Sequence, residues 1–161
     1  MKTRQYTFAK LKKMDLNSMY DGSSATLEAL DYNLLSIVNT EAPITMNLVK
    51  ARLREAFNIG KISQKALDII EEHIKRLGFK ITDNFYDKVL WPQTGVFNVE
   101  YLRDGYERQI YDVSYQEMKI LTDTLNLRGE ELYREILKYF GFEVLTKKAL
   151  DYLKFIEKMC K

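Results

Sequence analysis

The chain has 161 residues, 46% hydrophobic and 30% charged, and a net charge of +2. Those proportions describe one folded domain of ordinary size or two small modules, not a disordered tail, and the apolar runs fall well short of the roughly 18 residues a membrane helix needs, so no membrane partner is expected. A single cysteine, Cys160, excludes an internal disulfide, and the basic stretch Met1–Met14 has no apolar signal core, so a reducing, cytoplasmic setting is expected.

Met1–Asp21 interleaves aromatic and basic residues (Tyr6, Phe8, Lys10, Lys12, Lys13) without a clean period and reads as an irregular arm or short strand over residues 1–22. Asp21-Gly22-Ser23-Ser24 is turn chemistry that starts a helix, continued at helical spacing by Leu27, Leu30, Leu34, Leu35 and Val38. This helix should stop near Asn39, because Pro43 drives Ala42 towards extended backbone. A second helix opens near Thr45 with Leu48, Val49, Leu53, Ala56 and Phe57 on one side, and Asn58-Ile59-Gly60 turns the chain. A third runs from an N-cap at Ser63 to a terminating glycine at Gly78. On it Ile62, Ala66, Ile69, Ile70, His73 and Leu77 share a face.

The period then changes. Phe79–Ile81 and Phe85–Leu90 around Thr82-Asp83-Asn84 predict a hairpin closed by Trp91-Pro92, and Phe97–Arg103 and Tyr106–Tyr111 around Asp104-Gly105 predict another. Ser114-x-x-Glu117 is a capping box that opens a helix through Leu125, followed by helices over Glu130–Phe140 and Thr146–Lys161. The expected fold class is α+β, mainly α. A winged helix-turn-helix unit with two hairpins occupies residues 23–112, and a second trihelical unit without a wing occupies residues 113–161, with a small antiparallel sheet between them.

The two halves also share letters. An offset of 83 residues carries Lys65-Ala66-Leu67-Asp68 onto Lys148-Ala149-Leu150-Asp151, Val49 onto Leu132, Leu53 onto Ile136, Phe57 onto Phe140 and Ile70 onto Leu153. Ser63 meets Thr146. Asn58 meets Gly141, and these are the residue types that most readily end a helix in the left-handed conformation. One helix–turn–helix unit is used twice.

At Glu41-Ala42-Pro43-Ile44, Ala56-Phe57-Asn58-Ile59, Leu90-Trp91-Pro92 and Phe140-Gly141-Phe142 the chain resembles the uncharacterised domain near the C-terminal end of large bacterial proteins related to superfamily-one DNA helicases. Those proteins often also carry a restriction-endonuclease-like module. The similarity runs from Tyr6 to the last helix. An arginine usual just after each turn of that family is Lys61 in the first repeat and Val144 in the second, and a glycine common shortly afterwards is replaced by Ser63 and Thr146. The resemblance implies an auxiliary module in DNA processing or defence, with no activity of its own.

No catalytic constellation emerges. His73, the only histidine, lies on an apolar helix face, and Cys160 sits among Ile156 and Met159 as a small hydrophobe. No Cys/His spacing suits zinc, and neither a G-x-x-x-x-G-K-[ST] loop nor a G-x-G-x-x-G fingerprint occurs, so no cofactor is expected. Glu71-Glu72 and Glu130-Glu131 are sequence neighbours about 100° apart on a helix and cannot jointly face one substrate. The chain is expected not to be an enzyme.

Positive charge gathers on the repeated helices. From Glu41 to Lys80, and again from Leu145 to Lys161, basic residues exceed acidic ones by about three, whereas Ile81–Val144 is acidic. In a winged helix-turn-helix the third helix enters the major groove. That assigns Gln64, Lys65 and Lys75 to bases or phosphates, with Lys61, Lys80 and Lys88 flanking, although Asp68, Glu71 and Glu72 share the face and repel phosphate. The matching helix of the second repeat sets Lys147, Lys148, Lys154 and Lys158 against Asp151 alone, and is the better candidate. Phe155, on the outward side amid these lysines, predicts a contact with a partner surface. The expected function is a non-catalytic nucleic-acid-binding module, directed at DNA and serving a helicase- or nuclease-like parent protein. The alternative is a docking or dimerisation module.

Overall fold

The computed structural model describes Met1–Lys161. In chain order its elements are β1 (Thr3–Gln5), α1 (Leu16–Tyr20), α2 (Ser24–Glu41), β2 (Ile44–Thr45), α3 (Met46–Phe57), α4 (Gln64–Leu77), β3 (Lys80–Asp83), β4 (Lys88–Trp91), β5 (Leu102–Asp104), α5 (Tyr115–Leu125), α6 (Gly129–Tyr139) and α7 (Lys147–Met159). The fold is α+β and mainly helical, and no helix is long and apolar enough to cross a membrane. Two compact units divide the chain: an amino-terminal one of Thr7–Thr82 with Leu90–Val96, and a carboxy-terminal one of Met1–Tyr6, Asp83–Val89 and Phe97–Lys161. Phe97–Asp112, grouped with the first half from sequence, thus falls in the second unit.

In the amino-terminal unit α2 packs on α3 and α4. Each helix starts and stops on local chemistry. Thr45 and Ser63 accept the N–H groups of Leu48 and Ala66 at 3.3 and 3.2 Å. Ala42, extended before Pro43, ends α2 two residues beyond Asn39, and Gly78 ends α4 at φ +72°. The buried side of α4 centres on Ala66, Ile70 and Ile74, leaving His73 at its edge, bonded through Nδ1 to Asp31 at 2.7 Å. Partial burial raises the Asp31 carboxyl, but the hydrogen bonds from His73 and Arg76 outweigh it and hold the group below its ordinary value.

The stretch between β1 and α1 is pinned by polar side chains rather than by strand pairing. Buried Asn33 bonds both backbone groups of Lys12 at 2.8 Å. Buried Glu41 accepts the Ala9 N–H at 3.1 Å while Arg52 donates to the Ala9 carbonyl at 2.8 Å, and Arg52 and Glu41 pair at 3.0 Å. Two desolvated charges are therefore matched to each other and to backbone dipoles, the condition under which a buried ion pair is tolerated. The three-stranded sheet has the order β2–β4–β3, and fully buried Trp91 donates its indole N–H to Thr82 Oγ1 at 2.8 Å.

In the carboxy-terminal unit α5, α6 and α7 pack on one another around Met118, Leu121, Leu132, Ile136, Leu153 and Ile156. No side chain at Arg128 caps α6. Glu157 on α7 does so instead, accepting the Gly129 N–H at 2.9 Å and the Tyr133 hydroxyl at 2.7 Å. Burial and that carboxylate push the Tyr133 hydroxyl up to about 12.

The predicted second hairpin does not form. Leu102–Asp104 instead pairs in parallel with Thr3–Gln5, Arg4 opposite Arg103. The backbone groups a hairpin partner would use are already taken: the Arg103 N–H goes to Glu117 Oε1, the Arg103 carbonyl to the Arg108 guanidinium and the Asp104 carbonyl to the Tyr6 N–H, each at 2.8 Å. Gly105 turns the chain at φ +79°, where a β-carbon would collide with the Gln5 side chain. The capping box is likewise half of one. Ser114 Oγ accepts the Glu117 N–H at 3.2 Å, but the Glu117 carboxylate turns away to bind Arg103 and Arg108 at 2.8–3.1 Å.

The duplication is written in backbone hydrogen bonds. After α3, the N–H groups of Asn58 and Ile59 reach the carbonyls of Glu55 and Arg54, both at 3.1 Å; after α6, those of Gly141 and Phe142 reach Lys138 and Leu137 at 3.1 and 2.8 Å. All four pairs correspond at the 83-residue offset, and Asn58 and Gly141 both have positive φ. The N-caps correspond too, since Ser63 accepts from Ala66 and Thr146 from Ala149.

Burial raises the Glu117 carboxyl, but the bonds and charges of Arg108 and Arg103 prevail and hold it at about 2, against 4.5 for the free group. A depressed folded value contributes stability above the unfolded one and loses it as pH falls, here between 4.5 and about 2. The contribution should be about 3 kcal/mol, read as a decline in unfolding free energy confined to that window. Glu117→Ala, which leaves two guanidinium groups unmatched, should cost about 3–5 kcal/mol at pH 7 in urea unfolding.

Candidate nucleic-acid interface

The ten polar residues singled out from sequence are all exposed, and they divide equally between the units. Lys61, Gln64, Lys65, Lys75 and Lys80 belong to the amino-terminal unit, Lys88, Lys147, Lys148, Lys154 and Lys158 to the carboxy-terminal one. On α4 the polar set is partly occupied. Gln64 donates to Asp68 at 2.7 Å, Lys65 lies 4.3 Å over the Tyr20 ring, and Glu71 and Glu72 are exposed on the same helix. Lys88 is paired with Asp83 at 3.0 Å.

On α7 the arrangement is cleaner. Ala149, Tyr152, Leu153 and Ile156 face the core, which turns Lys147, Lys154 and Lys158 outward at i, i+7 and i+11, one stripe of a helix. Asp151 shares the stripe and binds Lys147 at 2.7 Å, while Lys154 and Lys158 have no acidic partner. Lys148 lies on the flank, its ammonium 4.4 and 5.3 Å from the Tyr111 and Tyr86 ring centres.

Tyr86 belongs to the tip of the β3–β4 hairpin, whose turn spans Asn84–Asp87 rather than the predicted Thr82–Asn84. The tip is fixed in the carboxy-terminal unit by Asn84, which is fully buried. Its side-chain amide donates to the Tyr152 hydroxyl at 3.0 Å and the Val113 carbonyl at 3.3 Å, and its oxygen accepts the Tyr115 N–H at 3.0 Å. Tyr152 in turn donates to the Val113 carbonyl at 2.7 Å, and burial pushes its hydroxyl up, so it stays neutral. With Asn84 committed, the left-handed position passes to the next residue. Phe85 has φ +69°, and the Tyr86 N–H closes on the Asn84 carbonyl at 3.0 Å around it. A γ-turn of this hand on a bulky residue is strained by about 1–3 kcal/mol.

The consequence is two rings on the surface. Phe85 and Tyr86 are each 45% exposed, edge to face at 4.6 Å, and the Tyr86 hydroxyl is tethered to the Lys148 carbonyl at 3.1 Å. Loss of hydration and the Asp151 carboxylate raise that hydroxyl above its ordinary value. Phe155 is not the solitary exposed ring expected. It is half-buried, packed against Phe85, Tyr115 and Tyr152 with ring centres 5.3, 6.0 and 6.2 Å away. The rings that do face solvent beside the lysines, Phe85 and Tyr86, are the ones sequence reasoning missed, since a hairpin strand was expected over Phe85–Leu90.

Asn84→Ala should uncouple the tip, leaving the Tyr115 N–H unpaired in a half-buried setting and costing about 1–3 kcal/mol. The checks are a lowered urea midpoint and faster proteolysis within Asp83–Val89. Comparison with protein-family models, with curated proteins and with solved structures returned no match.

Proposed function

We propose that the chain is a non-catalytic nucleic-acid-binding module, the accessory part of a helicase- or nuclease-like protein in DNA processing or defence. The observation that carries this reading is the outward stripe of α7. Lys147, Lys154 and Lys158 stand in one line with Lys148 beside them, and Asp151 is the only carboxylate on that stripe. Cations in such a row replace the counterions of a phosphate backbone, which is the main source of affinity for nucleic acid. The resemblance seen in sequence supports the helicase-like setting.

The architecture adds support. Three helices followed by a hairpin, with β2 between the first two helices joining the sheet beside β4, is an order compatible with a winged helix-turn-helix. In this reading the wing serves the second repeat, because its tip residues are bonded there. The second repeat's α7, rather than α4 with Asp68, Glu71 and Glu72 on its exposed side, is then the nucleic-acid helix.

Titration of a DNA duplex and of a single strand across salt tests this. Four lysine contacts predict a slope of log K against log salt of about −3 to −4, and reversing Lys147, Lys148, Lys154 and Lys158 to glutamate should abolish binding while thermal unfolding stays cooperative. Absence of binding at low salt, or binding without a slope, refutes the module.

A further inference from the structure

The lysine stripe does not by itself say which form of nucleic acid it meets. The hairpin tip beside it does. Phe85 holds a positive φ that glycine or asparagine would take at less cost, yet it presents an aromatic ring that is nearly half exposed. The ring is not loose. It sits edge to face on Tyr86 and tilted against Phe155, while Tyr86 lies nearly parallel to Tyr152 at 6.2 Å and is tied by its hydroxyl to the α7 backbone. Both exposed rings are therefore held rigid by their buried sides. A strained turn that keeps a fixed ring in water is poor packing, but it is good preparation for a flat ligand.

Resting on the nucleic-acid reading, we propose that Phe85 and Tyr86 form a stacking platform for unpaired bases, and that the module's ligand is a single strand rather than an intact duplex. The chemistry is that of single-strand sites, in which aromatic faces take bases in a sequence-tolerant way and nearby cations take the phosphates. Both parts adjoin here, because Lys148, 5.3 Å from the Tyr86 ring centre, flanks the α7 stripe at its start. From Lys147 to Lys158 the stripe is about 16 Å long, suiting a footprint of about four nucleotides. Stacked bases inside a duplex offer no face to such rings. The carboxylates of Asp83, Asp87 and Asp151 border the tip, but Asp83 and Asp151 are already paired with Lys88 and Lys147, and Asp87 also has a partner.

The test uses the full chain, a labelled oligothymidylate of about 12 nucleotides and a duplex of the same length. Phe85→Gly is the informative variant, because glycine accepts the φ of this turn and the change removes only the ring. Tyr86→Leu is the second. Wild type should prefer the single strand, and either variant should weaken single-strand binding about ten-fold while duplex affinity moves by less than about two-fold and thermal unfolding stays cooperative. Undiminished single-strand affinity in both variants overturns the platform; if the four-lysine reversal still abolishes binding, the broader reading survives alone. Should Phe85→Gly instead dissolve a self-associated species in sedimentation without changing oligonucleotide affinity, the rings serve a protein contact and the platform falls. Failure to bind either nucleic acid at low salt removes both.

Discussion

Two guanidinium groups, one buried and one partly so, share a fully buried carboxylate, and much of the carboxy-terminal unit is arranged to keep them matched. Glu117 projects from the first turn of α5, where its own N–H is held by Ser114. Arg103 from β5 and Arg108 from the segment after it converge on its two oxygens, with the Tyr6 ring 4.7 and 5.3 Å from their guanidinium carbons. An unmatched buried charge costs several kcal/mol, so the three cannot be separated piecemeal. The parallel pairing of β1 with β5, the turn at Gly105 and the position of α5 all follow from their meeting. Arg108 Nε remains the one buried N–H of the group without a partner.

The helices were legible because their signals are local. Ser23, Thr45, Ser63, Ser114 and Thr146 each cap the helix expected of them, and Asn58, Gly78 and Gly141 each take a positive φ where a turn was expected. The failures share one cause. Asp104-Gly105 is good hairpin chemistry, but the backbone beside it was claimed by the Glu117 and Arg108 side chains and the Tyr6 N–H, and no local pattern reports that Glu117 prefers Arg103 to its own N-cap. Phe85 escaped notice for the same reason. The hairpin expectation put it at the start of a strand, whereas Asn84, spent on Tyr152, Val113 and Tyr115, moved the turn onto it. The candidate lysines were readable as a stripe on α7, but the rings beside them were not.

The duplication shows what was kept and what was released. Turn, N-cap and central apolar contacts recur at the same offset, since these make two helices pack at all. Surface charge diverged: Glu71 and Glu72 of α4 correspond to Lys154 and Phe155 of α7. A shared scaffold thus carries unlike outer faces in its two copies.

The carboxy-terminal unit is assembled from three separated stretches, beginning with residues 1–6, whose strand partner lies at 102–104. On the ribosome, Thr7–Thr82 emerges before Phe97–Lys161 and its four helices are close in sequence, so they can associate promptly. The opening strand must wait until its partner emerges, and the hairpin tip must wait longer, for Tyr152. Closure of that unit is therefore a late event of high contact order, and its aromatic residues remain the part of the nascent chain most in need of shelter.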